Sequence, residues 1–169
     1  MYLNCHTYYS LRYGTIMPER LLTLASENNF KALALTDINN TSACLDFVRL
    51  SEKYKIKPVL GVDFRNGAAQ QFILLAKNNH GFHNINTYLS KHLHDSSLKF
   101  SEQAPQLDDT FVIYPYKQNN IFNLKPNEFI GVSVEEIKKL RFSYLNRFTD
   151  KLVIQQQVTI RNKRNITRR

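Results

Sequence analysis

The stretch NCHTYYSLRYGTIMPERLLTLASENNFKALALTDINN, Asn4 to Asn40, decides the fold. It reads as strand, loop, helix and strand in succession. Tyr2 to Cys5 opens as a short strand, and Ser10 to Met17 form a loop with Gly14 as a turn residue. Pro18 suits the first turn of a helix, where its missing N–H costs nothing. Leu21, Leu22, Leu24 and Ala25 make that helix's apolar stripe, and Asn28 and Asn29 end it. Lys31 to Thr36, KALALT, is too continuously apolar to be half-exposed and reads as a buried strand.

The pattern continues outward from this stretch. Thr41 or Ser42 is expected to cap a second helix, with Ala43, Leu45, Phe47, Val48 and Leu50 facing largely inward. Lys57 to Phe64 is a third strand and Gln71 to Ala76 a fourth, with Asn66-Gly67 short enough to turn between them. Gly81 to His94 has helical spacing through Phe82, Ile85, Tyr88, Leu89 and Leu93. The second half is less regular. A polar loop runs from Asp95 to Asp109, and Thr110 to Tyr114, Phe129 to Val132 and Lys151 to Ile154 are strands. A helix is expected over Val134 to Leu145, with Glu135 and Glu136 in its first turn. No internal repeat or low-complexity linker interrupts the chain. Alternating strands and helices indicate an α/β domain built on a parallel sheet.

Composition narrows the class. The chain has 169 residues, 43% of them hydrophobic and 22% charged, which is ordinary for one globular domain. No apolar run approaches the roughly 18–20 residues of a bilayer-spanning helix, which argues against an integral membrane protein. The opening MYLNCHTYYS has no secretory pattern. Cys5 and Cys44 cannot build a disulfide scaffold, so a reducing cytoplasm is expected, and Cys5 is read as a small buried hydrophobe. The formal net charge is +9, but Arg161, Lys163, Arg164, Arg168 and Arg169 supply five of those charges, as a basic tail set at residues 156–169. Such a tail could contact nucleic-acid phosphates, although no aromatic is interleaved for base stacking.

Chemistry in α/β sheets and barrels sits beyond the C-terminal ends of strands. Three such ends carry polar groups: His6 after the first strand, Asp37 after the second and Asp63 near the end of the third. One imidazole and two carboxylates could hold Zn²⁺ or Mn²⁺. Equally, Asp37 could cap the turn at Asn39 to Ser42, and His6 could be hydrogen-bonded structure. His80, His83, His92 and His94 lie around one helix and read as solvated surface. Tyr8-Tyr9 reads as packing over the barrel mouth.

Three segments together carry a specific resemblance: Asn4 to Asn40, KPVLGVDFR (Lys57 to Arg65) and FILLAKNNHGFHNINTYLS (Phe72 to Ser90). The histidine–tyrosine–serine–leucine opening, the L-T-D element, the G-V-D-F strand and the L-L-A-K-N strand resemble, in order and spacing, the N-terminal PHP (polymerase and histidinol phosphatase) domain of bacterial DNA polymerase III alpha subunits. The resemblance is strong over about the first ninety residues and loose beyond. It implies a partial, distorted (β/α)7 PHP-type barrel over residues 1–155. Active members of that family bind two or three metal ions and hydrolyse phosphate esters.

The family's ligands can be followed residue by residue. Its opening H-x-H falls on Asn4-Cys5-His6, so the first histidine is replaced and the second kept. Its T-D-H falls on Thr36-Asp37-Ile38, which keeps the carboxylate and loses the imidazole. A glutamate position is Asp63, one methylene shorter, and a histidine position aligns with Gln71. A downstream N-D-x-H element has no counterpart. An amide is a poor zinc ligand beside imidazole, and isoleucine is none. The expectation is a domain without cofactor, its metal site vestigial, in the DNA-replication setting of a polymerase. Its expected partners are the polymerase core and a proofreading exonuclease. A metal-dependent phosphoesterase or 3′–5′ exonuclease using His6, Asp37 and Asp63 is one alternative, and a DNA-binding module using the tail is another. The barrel is also expected to be unfinished, with strand edges that either lie bare or are covered by the second half.

Overall fold

A computed structural model describes residues 1–95, 97–116, 124–140 and 148–159. In order they form β1 (Asn4–Cys5), α1 (Pro18–Glu27), β2 (Ala32–Leu35), α2 (Cys44–Lys53), β3 (Lys57–Asn66), β4 (Ala69–Ala76) and α3 (Asn79–His94). There follow β5 (Thr110–Pro115), β6 (Glu128–Val132), α4 (Val134–Leu140), a 3₁₀ turn (Thr149–Lys151), β7 (Leu152–Ile154) and β8 (Gln157–Val158). Six strands make one curled half-barrel sheet in the order β2-β3-β4-β5-β6-β7, and β1 pairs with β8 in a second, two-stranded sheet. The partial α/β barrel is therefore present.

Its sheet is mixed, not parallel. β4 runs antiparallel to both β3 and β5, while the other ladders are parallel. The cause is the two-residue connection Gly67-Ala68, which can only reverse the chain. Gly67 has φ +60°, the left-handed conformation that such hairpin turns draw from glycine.

The second half does cover the edges. β7 lies on β6, and Gln155 N–H still donates to Val132 O at 2.9 Å. Two residues later the same segment has crossed to β1, where His6 N–H donates to Val158 O at 2.9 Å. β1 is bonded in turn to β2, through Ala34 N–H to Tyr2 O and Thr36 N–H to Cys5 O. Gln157 and Val158, assigned to the tail on sequence, thus belong to β8. Of the two expected covers, residues 151–154 do lie along β6, whereas Thr110–Pro115 is an inner strand between β4 and β6.

Strand alternation sorts the apolar residues into layers. Ala34, Ile73, Leu75 and Ile113 point inward and are buried, with Leu3, Val59, Phe129 and Val153 around them. Leu33 and Leu35 point outward onto Leu21 and Leu22 of α1 and Phe47 of α2. Val62, Phe64, Phe72 and Leu74 meet Ile85 and Leu89 of α3.

Helix details depart from expectation in one consistent way. α2 buries Cys44, Phe47 and Ser51, while Leu45 is 73% exposed and Val48 40% exposed. α3 buries Gly81, Ile85 and Leu89, and Leu93 is exposed. Each helix rests on the sheet along a single row at i, i+3/i+4, so neighbouring apolar positions face solvent. α2 starts after Ala43, which has no side chain able to cap it, and the Thr41 hydroxyl donates to Asn86 Oδ1 of α3 at 2.8 Å. α3 is capped by Asn78, whose Oδ1 accepts from Gly81 N–H. In α4, Ser133 and Glu136 cap each other's backbone N–H groups reciprocally. The part of the expected helix past Leu140 lies outside the described residues, as does the cluster Arg161, Lys163, Arg164, Arg168 and Arg169.

Candidate functional site

His6, Asp37 and Asp63 all come to the barrel mouth, and all three are buried. The backbone makes this unavoidable. β1 and β2 run side by side, so their ends place His6 next to Asp37. Asp63 N–H donates to Asp37 O at 3.2 Å, and Ile38 is the ladder partner of Asp63. Asn39, left-handed at φ +51°, then locks the end of β3. Its amide donates to Arg65 O and accepts from Arg65 N–H.

The two carboxylates have different company. Asp63 Oδ2 accepts from Arg65 Nη2 at 2.7 Å and Nε at 3.0 Å, and pairs with His6 Nε2 at 3.0 Å. Its Oδ1 accepts from Gln70 Nε2 at 2.8 Å. Asp37 Oδ1 accepts from Thr7 N–H and the Ser10 hydroxyl, each at 2.6 Å, and its Oδ2 accepts from the Thr7 hydroxyl at 2.7 Å. Asp37 therefore does not cap the Asn39–Ser42 turn. It pins the loop after β1.

The remaining family positions also serve the framework. Asn4 Oδ1 accepts from the Thr36 hydroxyl, and Ile38 N–H donates to Ser10 Oγ. Gln71 turns back on its own strand, with Nε2 donating to Ala69 O. Among the described residues, Asn4 Nδ2 and His6 Nδ1 are buried without a hydrogen-bond partner. Both thiols are buried. Burial, and secondarily the negative charge of Asp37, pushes Cys44 up to about 12 and Cys5 higher still.

Two residues that close this network escaped the sequence reading. Arg65 had a usable signal, because residues 63 and 65 share one face of a strand. Gln70 had none. Phe64 faces Phe72 and Arg65 faces Gln70, so Gln71 is the extra residue of a β-bulge. The bulge turns Gln70 toward Asp63 in place of Gln71. Gln70 Oε1 in turn accepts from Gln155 Nε2 at 3.0 Å, tying β4 to the segment after β7.

This set does not fit a divalent metal. Four N–H groups occupy the acceptor positions of Asp63, and three donors occupy Asp37. Among the described residues, no group of three His, Cys, Asp or Glu side chains converges on a point where an ion could sit. A positive charge is already set against Asp63 by the Arg65 guanidinium at 2.7 Å.

A curled sheet with polar groups gathered at its strand ends is the architecture of α/β barrels. Within that class the chain belongs to the PHP domain family, whose model matches residues 3–152. It is similar to the DNA polymerase III alpha subunit of Buchnera aphidicola, with 30% identity over 97 residues that cover 54% of this chain and 8% of the relative. The alpha subunit of Mycoplasma genitalium is 31% identical over 119 residues, covering 67% and 13%. The chain thus matches only a small part of the length of these relatives. An amidohydrolase from Chromobacterium violaceum, solved with bound sulfate and no metal, shares the fold at a TM-score of 0.55 and 10% identity. That match covers 96% of this chain and 88% of the other.

Proposed function

We propose that this chain is a non-catalytic PHP module of a replicative polymerase, working in the bacterial cytoplasm as a shaped support for the polymerase core and its proofreading partner. The observation that carries this reading is the Arg65 guanidinium on Asp63, which takes the charge a catalytic metal would bring. A hydrolytic PHP site needs ions with an open position for water. Here the acceptors face protein donors, and two family imidazole positions are Asn4 and Ile38. The polymerase relatives supply the setting, and DNA contact comes through the polymerase.

The test is metal content together with activity. Full-length protein incubated with Zn²⁺ or Mn²⁺ and desalted is expected to carry no stoichiometric ion by mass spectrometry. Its melting temperature is expected to be unchanged by EDTA, and it should release neither phosphate from p-nitrophenyl phosphate nor nucleotides from a 3′-labelled oligonucleotide. Tightly bound metal with hydrolysis abolished by Asp37→Ala would establish the phosphoesterase alternative instead.

A further inference from the structure

The opposite end of the barrel is unlike the mouth. There the sheet opens into a cavity of about 800 Å³ whose walls include Val59, Leu75, Ile113, Phe129 and Val153, one residue from each of five strands, and Leu3 just before β1. Lysines stand at its rim. Lys57 lies two residues before Val59, and Lys77 two after Leu75, so both continue the inward register and both line the cavity. Lys151 stands two before Val153. The Lys77 ammonium lies 4.5 Å from the centre of the Phe111 ring, and that of Lys151 lies 5.4 Å from Phe129. Lys151 also donates to the carbonyls of Lys125 and Pro126.

Of the acids at this end, Asp109 is bonded to the His80 ring and feels the Lys77 charge, and Glu128 opens β6 with its carboxylate accepting from Lys125 N–H. Among the described residues, no carboxylate lies within ion-pair distance of Lys57 or Lys77. Met1, Val48 and Phe111, which also line the cavity, are large apolar residues left exposed.

We propose that this floor is a docking site for an acidic peptide segment of a partner protein, which inserts an aliphatic or aromatic side chain into the cavity and sets its carboxylates against Lys57 and Lys77. Charge complementarity selects the acid, and the apolar walls select the inserted side chain. The exposed Met1, Val48 and Phe111 make the surface wider than one small amphiphile would cover. A nucleic acid suits it less, since base stacking needs open ring faces and ammonium groups already sit over Phe111 and Phe129. The proposal does not depend on the metal question, which concerns the other end of the barrel.

The experiment is selection of a random peptide display library on the full-length chain. Enrichment is expected for sequences with a Leu, Ile, Phe or Trp flanked by Asp or Glu. A synthetic copy of an enriched peptide should bind with micromolar Kd by fluorescence anisotropy. Lys57→Glu combined with Lys77→Glu should weaken that binding more than tenfold, and a charge-swapped peptide carrying lysines should recover it. Both lysines are exposed, so folding is expected to survive, which circular dichroism checks. Phe111→Ala, uncharged, should also weaken the acidic peptide. Failure of enrichment, or binding indifferent to all three substitutions, overturns the proposal. So does binding of decanoate or oligothymidylate lost in the same variants while peptides fail to bind. None of these outcomes alters the metal content at Asp63.

Discussion

Two histidine–aspartate pairs sit at opposite ends of the barrel with the same 3.0 Å separation. His6 and Asp63 at the mouth are 0% exposed, while His80 and Asp109 at the floor are 62% and 41% exposed. The contact is the same and the surroundings are not. At the mouth the pair is extended by Arg65 and Gln70, so that Asp63 has four nitrogen partners, three on Oδ2 and one on Oδ1. At the floor the pair is largely exposed, and among the described residues Lys57 and Lys77 have no carboxylate within ion-pair distance, although the Lys77 charge is felt at Asp109. Burial sets what a polar contact is worth: an exposed pair trades one solvated state for another, whereas a buried one must be complete or costly. The mouth is therefore a structural keystone, and the floor keeps polar and apolar groups open to a partner.

The largest expected effect is at Asp63. Asp63→Ala leaves the Arg65 guanidinium buried without its counter-charge and is expected to cost about 3–5 kcal/mol in urea unfolding. The matching change at the floor, Asp109→Ala, should leave the unfolding midpoint nearly in place. Equal losses from the two would mean that burial does not separate them. Arg65→Ala sharpens the point from the other side. It strands Asp63 with only His6 and Gln70 and is expected to cost roughly 3 kcal/mol. Zinc should not restore the loss, because among the described residues no third ligand converges there. A zinc-dependent recovery of the melting temperature would show a latent metal site held shut by Arg65.

Asp37 comes next. Asp37→Ala strands one backbone N–H and two hydroxyls of the loop after β1, for an expected loss of about 2–3 kcal/mol, since each unsatisfied buried group costs about 1–3 kcal/mol and hydroxyls can turn elsewhere. Hydrogen exchange at Thr7 N–H would locate the damage. A loss as large as that at Asp63 would imply that Asp37 has a charged partner as well.

The ends also differ in how legible they were. The strands carrying His6, Asp37 and Asp63 are written locally, as apolar runs that stop at a polar residue, and the resemblance ordered them into a barrel. What closes the mouth is not local. Gln70 enters through a bulge, and bulges depend on how two strands meet rather than on either strand's own residues. β8 has two residues and no apolar signature apart from its neighbour β1. Leu45 and Val48 looked like core because helical periodicity says which residues share a face, not how wide a strip the sheet will cover. The floor lysines could have been placed by strand alternation from Val59, Leu75 and Val153, but only once the direction of β4 was known.

A smaller effect tests the outermost layer of the mouth network. Gly131 of β6 faces Gln155 so closely that a Cβ there would displace the glutamine side chain. Gly131→Ala is expected to break the Gln155–Gln70 bond while sparing Asp63, at about 1 kcal/mol, the ordinary net value of one hydrogen bond. If the loss approaches that of Asp63→Ala, Gln155 is part of the keystone and not its edge.

The smallest effect is at the floor and depends on pH. The hydrogen bond from His80, with a second from Asn78, holds the Asp109 carboxyl below its ordinary 3.8. A carboxylate depressed by folding contributes stability above its unfolded pKa and loses it as pH falls through the lower folded value. The Asp109 contribution is therefore present at neutral pH and disappears only on acidification below 3.8. Carbon-detected NMR should place the Asp109 midpoint under that figure. Urea unfolding of wild type and Asp109→Asn should differ slightly at pH 7 and converge in acid. A midpoint at or above the ordinary value would mean that water, not His80, is the partner Asp109 keeps, and the two His–Asp pairs would then share only their distance.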